Sequence, residues 1–127
     1  MAGEDRSNVL ARRRVLVVED EYFIADDMVR ILEKLGAHVV GPVPSKDRAL
    51  ALLERDRVDA AILDINLQGE AVYPLADALL ERDIPFVFAT GYDQSVVPAA
   101  YGNVRRWEKP FEPEELARAL PGLMRAL

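Results

Sequence analysis

The sequence predicts an α/β protein with a doubly wound parallel sheet and helices on both faces. Short runs of β-branched and aliphatic residues, such as VLVV before Glu19, alternate along the chain with amphipathic segments of helical period. Crossovers of this length join parallel neighbours and place helices on both faces of a sheet. The 127 residues suit one domain, and we expect a polar lead-in at 1–12 before a folded unit at 13–127.

The first half of the chain contains three predicted strands and two predicted helices. The first helix has apolar residues every three or four positions and is followed by Gly36, a typical C′ glycine. Ser45 is a plausible N-cap for the second helix, after prolines that end the second strand. The expected strands are 15–18, 38–43 and 60–65, and the expected helices are 21–35 and 46–55.

The second half continues the alternation with weaker signals. Pro98 limits the helical pattern near it, and Pro121 predicts a kink in the last helix. The expected elements are a loop at 66–70, a helix at 72–82, a strand at 85–89, a short segment at 94–101, a strand at 104–107 and a helix from 114.

Chemically capable residues stand where the predicted strands end. Glu19 and Asp20 follow the first strand, Asp64 the third, Thr90 the fourth and Lys109 the fifth. In doubly wound sheets ligands bind beyond the carboxyl ends of the strands. We therefore expect these side chains to meet at one edge.

Three carboxylates within a few ångströms of one another need a cation. Hard oxygen donors without histidine or thiolate favour Mg²⁺, with Mn²⁺ as a substitute. Lys109 can neutralise a phosphoryl oxygen, Thr90 supplies a hydroxyl and Gly91 permits close backbone approach. The set suits phosphoryl transfer to an aspartate, in which the protein mainly positions groups and neutralises charge.

Each residue also has a plain structural interpretation. Asp20 alone could be a helix N-cap, Asp64 and Thr90 could be turn residues, and Lys109 could be a surface charge. Their joint occurrence in strand order favours a functional site. The sole histidine, His38, is expected to be structural, which disfavours a histidine phosphocarrier.

Composition excludes several other classes of function. The chain has no cysteine, so disulfides, thiolate metal sites and cysteine nucleophiles are absent. The net charge of -6 disfavours direct DNA binding, and Arg12 to Arg14 are few for a nucleic-acid patch. No apolar run approaches the roughly 20 residues of a membrane span, and the N-terminus lacks a secretory signal, so we expect a cytoplasmic protein.

The motifs resemble, as a set, the receiver domain of two-component response regulators. They are VLVVED ending at Asp20, AAILDINL at 60–67, the Thr90 position and KPF at 109–111. The resemblance implies a flavodoxin-like five-stranded sheet of order 2-1-3-4-5. It also implies a phosphoacceptor signalling domain rather than an enzyme, which assists its own phosphorylation and dephosphorylation.

The same resemblance assigns a role to each site residue. Asp64 is similar to the phosphoacceptor, and Glu19 and Asp20 are similar to the acids that hold magnesium together with Asp64. The backbone carbonyl of Asn66 is implied as a further metal ligand. Thr90 resembles the switch hydroxyl that turns toward the phosphoryl group, and Lys109 resembles the lysine that pairs with it. The donor implied by the resemblance is a phosphohistidine on a sensor histidine kinase.

One position departs from the family pattern. Arg106, three residues before Lys109, stands where typical receivers carry an aromatic that rotates on activation. The segment PFVFATGYD at 85–93 resembles the atypical FAT GUY receivers, which often stand alone and often have HWE-type kinases. Our hypothesis for the switch region, Thr90, Gly91, Tyr92 and Arg106, is that phosphorylation orders residues 91–103 instead of rotating an aromatic.

Three functions compete at this stage. The first is a single-domain receiver that signals through an unknown downstream protein, as a monomer or weak dimer. The second is a small aspartyl-phosphate hydrolase, but Asn66 stands where its second acid would be needed. The third is a pseudo-receiver scaffold, which has no use for the repulsion among the acids.

Overall fold

A five-stranded parallel sheet forms the centre of the protein, with strand order β2-β1-β3-β6-β7. The computed structural model describes residues 10–67, 70–90, 101, 104, 106–108, 115 and 119. Counting only the strands of this sheet, the order is the predicted 2-1-3-4-5, and the predicted fold class is confirmed. The elements are β1 Arg14–Val18, α1 Tyr22–Lys34, β2 His38–Val43, α2 Lys46–Arg55, β3 Ala60–Asp64, β4 Asn66–Leu67, β5 Glu70–Ala71, α3 Tyr73–Glu81, β6 Phe86–Thr90 and β7 Arg106–Glu108.

The central strands are buried on both faces, as their unbroken apolar runs predict. Successive side chains of a strand point to opposite faces. In β1, Val15 and Val17 therefore pack with α1, whereas Leu16 and Val18 pack with α2 and α3. β3 and β6 follow the same alternation, which gives two apolar layers with the sheet between them.

The segment after Asp64 differs from the prediction. The expected loop at 66–70 is wrong in part, because β4 and β5 pair as an antiparallel ribbon, with Asn66 opposite Ala71. Leu67 is buried among the residues that pack with α2 and α3. Burial of this apolar side chain accounts for an ordered ribbon in a segment whose polar residues suggest a loop.

The fifth strand of the sheet also differs from its expected bounds of 104–107. The backbone N–H of Val104 donates to the carbonyl of Tyr101 at 3.1 Å, so Val104 lies in a turn and the strand begins at Arg106. Glu115 and Ala119 are helical, in agreement with a last helix from 114. The segment at 94–100 and the effect of Pro121 lie outside the described residues.

Among the described residues, every helix is too short or too polar to cross a membrane.

An irregular pairing beside the acid pair depends on Gly41. The register between β1 and β2 shifts between Leu16 and Val18, and Gly41 there has φ +97°. A Cβ at Gly41 would lie 2.9 Å from the backbone N of Val43 and 3.1 Å from the carbonyl O of Val17. The shift leaves the Val43 carbonyl free to accept the backbone N–H of Glu19 at 3.1 Å.

We expect Gly41→Ala to lower the free energy of unfolding by about 2–4 kcal/mol, because the cost of a left-handed backbone at alanine adds to the cost of a clash between its Cβ and the backbone. Gly36→Ala is the control, since Gly36 also has a left-handed backbone, φ 94°, at the end of α1. Gly36→Ala should lower the free energy of unfolding, measured in urea, by about 1 kcal/mol. Equal losses in the two variants would contradict a special role for the close approach at Gly41.

Candidate functional site

Three carboxylates meet at the carboxyl edge of the sheet. β1 and β3 are neighbours in which Val18 pairs with Leu63, so the residues that follow, Glu19 and Asp64, lie side by side. One carboxylate oxygen from each of Glu19, Asp20 and Asp64 lies within 4.8 Å of the others. The predicted meeting of these acids at one edge therefore occurs, because adjacent parallel strands end together.

Backbone groups hold Glu19 from two sides. Its N–H donates to the Val43 carbonyl, and its Oε2 accepts the N–H of Glu21 at 3.1 Å. Its Oε1 is buried, and the residue as a whole is only 4% exposed. Glu19 therefore presents a carboxylate whose direction is set by the backbone before any ligand binds.

The acid cluster combines burial with like charge. Asp64 is 5% exposed, and Asp20 is partly exposed beside it. Two carboxylates about 4–5 Å apart repel by roughly 3–4 kcal/mol at an effective dielectric near 20. A divalent cation with a preference for oxygen would relieve this repulsion, so the donor set fits Mg²⁺ or Mn²⁺.

The other predicted site residues are described to different extents. Thr90 is the last residue of β6, directly after Ala89, which pairs with Asp64. Its backbone pairs with Glu108 in β7, and Lys109 follows Glu108 in the sequence. Asn66 begins β4, two residues after Asp64. Lys109, Gly91 and Tyr92 lie outside the described residues, as does most of the 91–103 segment of the ordering hypothesis.

A cavity of about 520 Å³ opens beside the acid pair. The start of α1 forms one wall, and the turn between β2 and α2 forms the other. Arg48 is the basic residue of this lining, and Tyr22 and Asp26 contribute from α1. The cavity gives access from solvent to Glu19 and Asp20, so a partner could approach the acids from this side.

Two exposed aromatic residues begin α1, two positions after Asp20. Tyr22 is 84% exposed and Phe23 is 87% exposed, both in the first turn of α1. Phe23 shares its helix face with Asp27, four residues on, which is also exposed. Both aromatics lie off the apolar stripe that predicts the helix, and this position is the signal in the sequence that marks them as exposed.

An aromatic cluster on the α3 side was also missed. The rings of Tyr73 and Tyr101 are stacked with centroids 5.0 Å apart, and Phe88 meets both rings edge-on. The Tyr101 hydroxyl donates to Asp77 Oδ1 at 2.5 Å. No local pattern could reveal this contact, because 24 residues separate Tyr101 from Asp77.

Residues 15–121 match the family model described as the response regulator receiver domain. The sensory transduction protein LytT of Bacillus cereus is 32% identical over 111 residues, which are 84% of this chain and 45% of LytT. The chain therefore spans about half the length of this curated relative.

Solved structures agree with the family match. The solution structure of SdrG from Sphingomonas melonis Fr1 is 43% identical, with a TM-score of 0.78 over 88% of this chain and 96% of that chain. The BeF3-activated conformation of SdrG from Pseudomonas melonis Fr1 is also 43% identical, with a TM-score of 0.75 over 90% of this chain and 98% of that one.

We expect Mg²⁺ to raise the melting temperature, because a ligand that binds only the folded protein stabilises it, by about 1.4 kcal/mol at tenfold excess over Kd. Without Mg²⁺, the melting temperature of Asp20→Asn should be no lower than that of wild type, because one repelling charge is gone. With Mg²⁺, this variant should lose most of the rise in melting temperature that wild type shows. Asp27→Asn is the control, because Asp27 pairs with Arg30 away from the cluster. Identical melting of wild type with and without millimolar Mg²⁺, measured by calorimetry, would count against the metal site.

Proposed function

The chain belongs to the response regulator receiver domain family, and on that premise we propose that it accepts a phosphoryl group on Asp64 in a Mg²⁺-dependent reaction. Receiver domains act in two-component systems and receive phosphoryl groups from histidine kinases. The observation that carries the proposal is the convergence of Glu19, Asp20 and Asp64 within 4.8 Å. The response is then passed on through a phosphorylation-dependent contact with another protein.

Asp64 is the acceptor in this proposal because of its place in the sheet. It ends the central strand β3, with β1 on one side and β6 on the other. Glu19 and Asp20 come from the neighbouring strand and would hold the metal with Asp64 and the backbone carbonyl of Asn66. The bound Mg²⁺ would neutralise charge on the phosphoryl oxygens.

The proposed transfer is a displacement at phosphorus. A carboxylate oxygen of Asp64 forms the new P–O bond, while the P–N bond to the kinase histidine breaks and its electron pair remains on the imidazole. Thr90, at the adjacent strand end, would donate its hydroxyl to a phosphoryl oxygen, and Lys109 would pair with another. The product is an acyl phosphate that water later hydrolyses.

The proposal describes a signalling domain rather than a turnover enzyme. Residues 13–127 would form the receiver after a lead-in at 1–12. We propose a single-domain response regulator in keeping with the FAT GUY resemblance, whose members often stand alone. We further propose a cytoplasmic monomer or weak dimer that works through a downstream protein, without direct DNA or membrane binding.

The partner that donates the phosphoryl group is proposed to be a sensor kinase of the HWE type, in keeping with the FAT GUY resemblance. Its contact would include Tyr22 and Phe23, because large exposed aromatic side chains beside a reactive site are typical of protein interfaces. In the switch region, Thr90, Gly91, Tyr92 and Arg106 are proposed to respond to the phosphoryl group.

Incubation with acetyl phosphate and Mg²⁺ should add one phosphoryl group, detected by intact mass and mapped to Asp64. Asp64→Ala should abolish the addition because the accepting carboxylate is gone, whereas Asp27→Ala should behave as wild type. A wild-type protein that stays unmodified by both acetyl phosphate and kinase would support a pseudo-receiver scaffold. Repeated turnover of small phosphate esters would support a hydrolase.

Phe23→Ala should slow phosphoryl transfer from the purified HWE-type kinase by about fivefold to thirtyfold, since an interface aromatic of this kind contributes about 1–2 kcal/mol. Phosphorylation by acetyl phosphate should not change, because that donor needs no docking surface. Leu80→Ala is the control, as Leu80 is an exposed apolar residue on α3, 49% accessible. Equal slowing with both donors would refute a docking role for Phe23.

A further inference from the structure

We propose that Tyr101 and Asp77 form a latch, closed in the unphosphorylated protein and weakened when Asp64 carries a phosphoryl group. The latch is the hydrogen bond from the Tyr101 hydroxyl to Asp77, together with the contacts of the Tyr101 ring with Tyr73 and Phe88. This inference rests on the proposed function, since the phosphoryl group at Asp64 is what would bias the latch. Its experiment separates failure of the latch from failure of phosphorylation.

The geometry of the latch is that of a strong contact. The hydroxyl of Tyr101 lies 2.5 Å from Asp77 Oδ1 and 3.5 Å from the Tyr73 carbonyl O. An O–H···O distance near 2.5–2.7 Å is typical of donation to a charged acceptor, so the single proton is directed at Asp77. Burial, and next the hydrogen bond to Asp77, raise the pKa of Tyr101 to about 12. The hydroxyl therefore remains a donor at neutral pH.

The two ends of the latch differ in exposure. Tyr101 is 7% exposed, whereas Asp77 is an exposed residue of α3. If the hydrogen bond breaks, water can solvate the Asp77 carboxylate without further rearrangement. The cost of opening then falls mainly on Tyr101, which makes the contact suitable as a two-state element rather than a permanent part of the core.

Ring contacts connect the latch to the phosphorylation site. Phe88 meets the Tyr101 ring at a centroid distance of 6.2 Å and an interplanar angle of 84°. Phe88 pairs in register with Leu63, the residue before Asp64, and it lies two residues before Thr90. A displacement of β6 or of Thr90 on phosphorylation would therefore reach the Tyr101 ring through one packed side chain.

The latch also connects to Asp64 through α3. Tyr73, stacked on Tyr101, is the first residue of α3, which follows the ribbon β4–β5 after Asp64. Tyr101 itself lies in the sequence between Thr90 and Lys109. Packed rings and the segment after Asp64 thus connect the latch with Asp64 and Thr90, and coupling would follow if phosphorylation biases the open and closed states of the latch.

Opening of the latch would change the surface of α3 that a downstream protein can bind. Opening would release the Asp77 carboxylate and uncover the Tyr73 ring at the start of α3. A downstream protein with a basic side chain beside an apolar pocket would fit this pair, and it would bind the phosphorylated form more tightly. Partner binding and phosphorylation would then favour each other, because coupling is reciprocal.

The test uses the full chain with Mg²⁺ and beryllofluoride as the phosphoryl mimic, with binding followed by NMR. Tyr101→Phe keeps the ring and removes only the hydroxyl. We expect it to bind beryllofluoride about threefold to tenfold more tightly than wild type, because a contact that favours the unphosphorylated state is lost. Asp77→Asn should shift the affinity in the same direction, and the double variant should add little to either single change.

Asp27→Asn is the matched control for Asp77→Asn, because it neutralises an exposed acid of α1 that pairs with Arg30 away from the acid cluster, and its affinity for beryllofluoride should equal that of wild type. If Tyr101→Phe loses stability in urea but binds beryllofluoride as the control does, the hydrogen bond is only structural and the latch is refuted. Weaker binding by Tyr101→Phe would refute it too. No binding by wild type would overturn the proposed function and the latch with it.

Discussion

The parallel pairing of β1 with β3 is the constraint on which the site depends. Val18 and Leu63 are register partners, so the chain leaves both strands at the same level and sets Glu19 against Asp64. Apolar layers hold both strands from the two faces of the sheet. The buried sheet therefore helps to keep like charges together, and their donor set fits a divalent cation.

Rigidity and adaptability are divided between the two sides of the sheet. On the α1 side, the Glu19 N–H donates to the Val43 carbonyl and Glu19 Oε2 accepts the Glu21 N–H, and these two bonds fix Glu19 before ligand binding. On the α3 side, the rings of Tyr73 and Tyr101 pack against Phe88, and the Tyr101 hydroxyl donates to the exposed Asp77. The first arrangement suits a preorganised binding site, and the second suits an element that changes with the state of that site.

Arg106 lies next to this aromatic cluster in the sheet. Its backbone pairs with Phe88 across β6 and β7. Among the described side chains, the rings of Tyr73, Phe86 and Tyr101 contact Phe88, and they come from α3, from β6 and from the sequence before β7. Three aromatic rings from outside β7 therefore pack around the residue that pairs with Arg106.

The sequence alone determined the alternation of strands and helices, the sheet order through its family resemblance, and the acids at the strand ends. These features follow from local periodicity and from residue types that directly follow apolar runs. Only the tertiary structure decided the ribbon after Asp64, the cavity beside Arg48 and the hydrogen bond from Tyr101 to Asp77. Each of these joins groups from separate elements or depends on burial of a side chain such as Leu67, and no local pattern records which distant residue a side chain will meet.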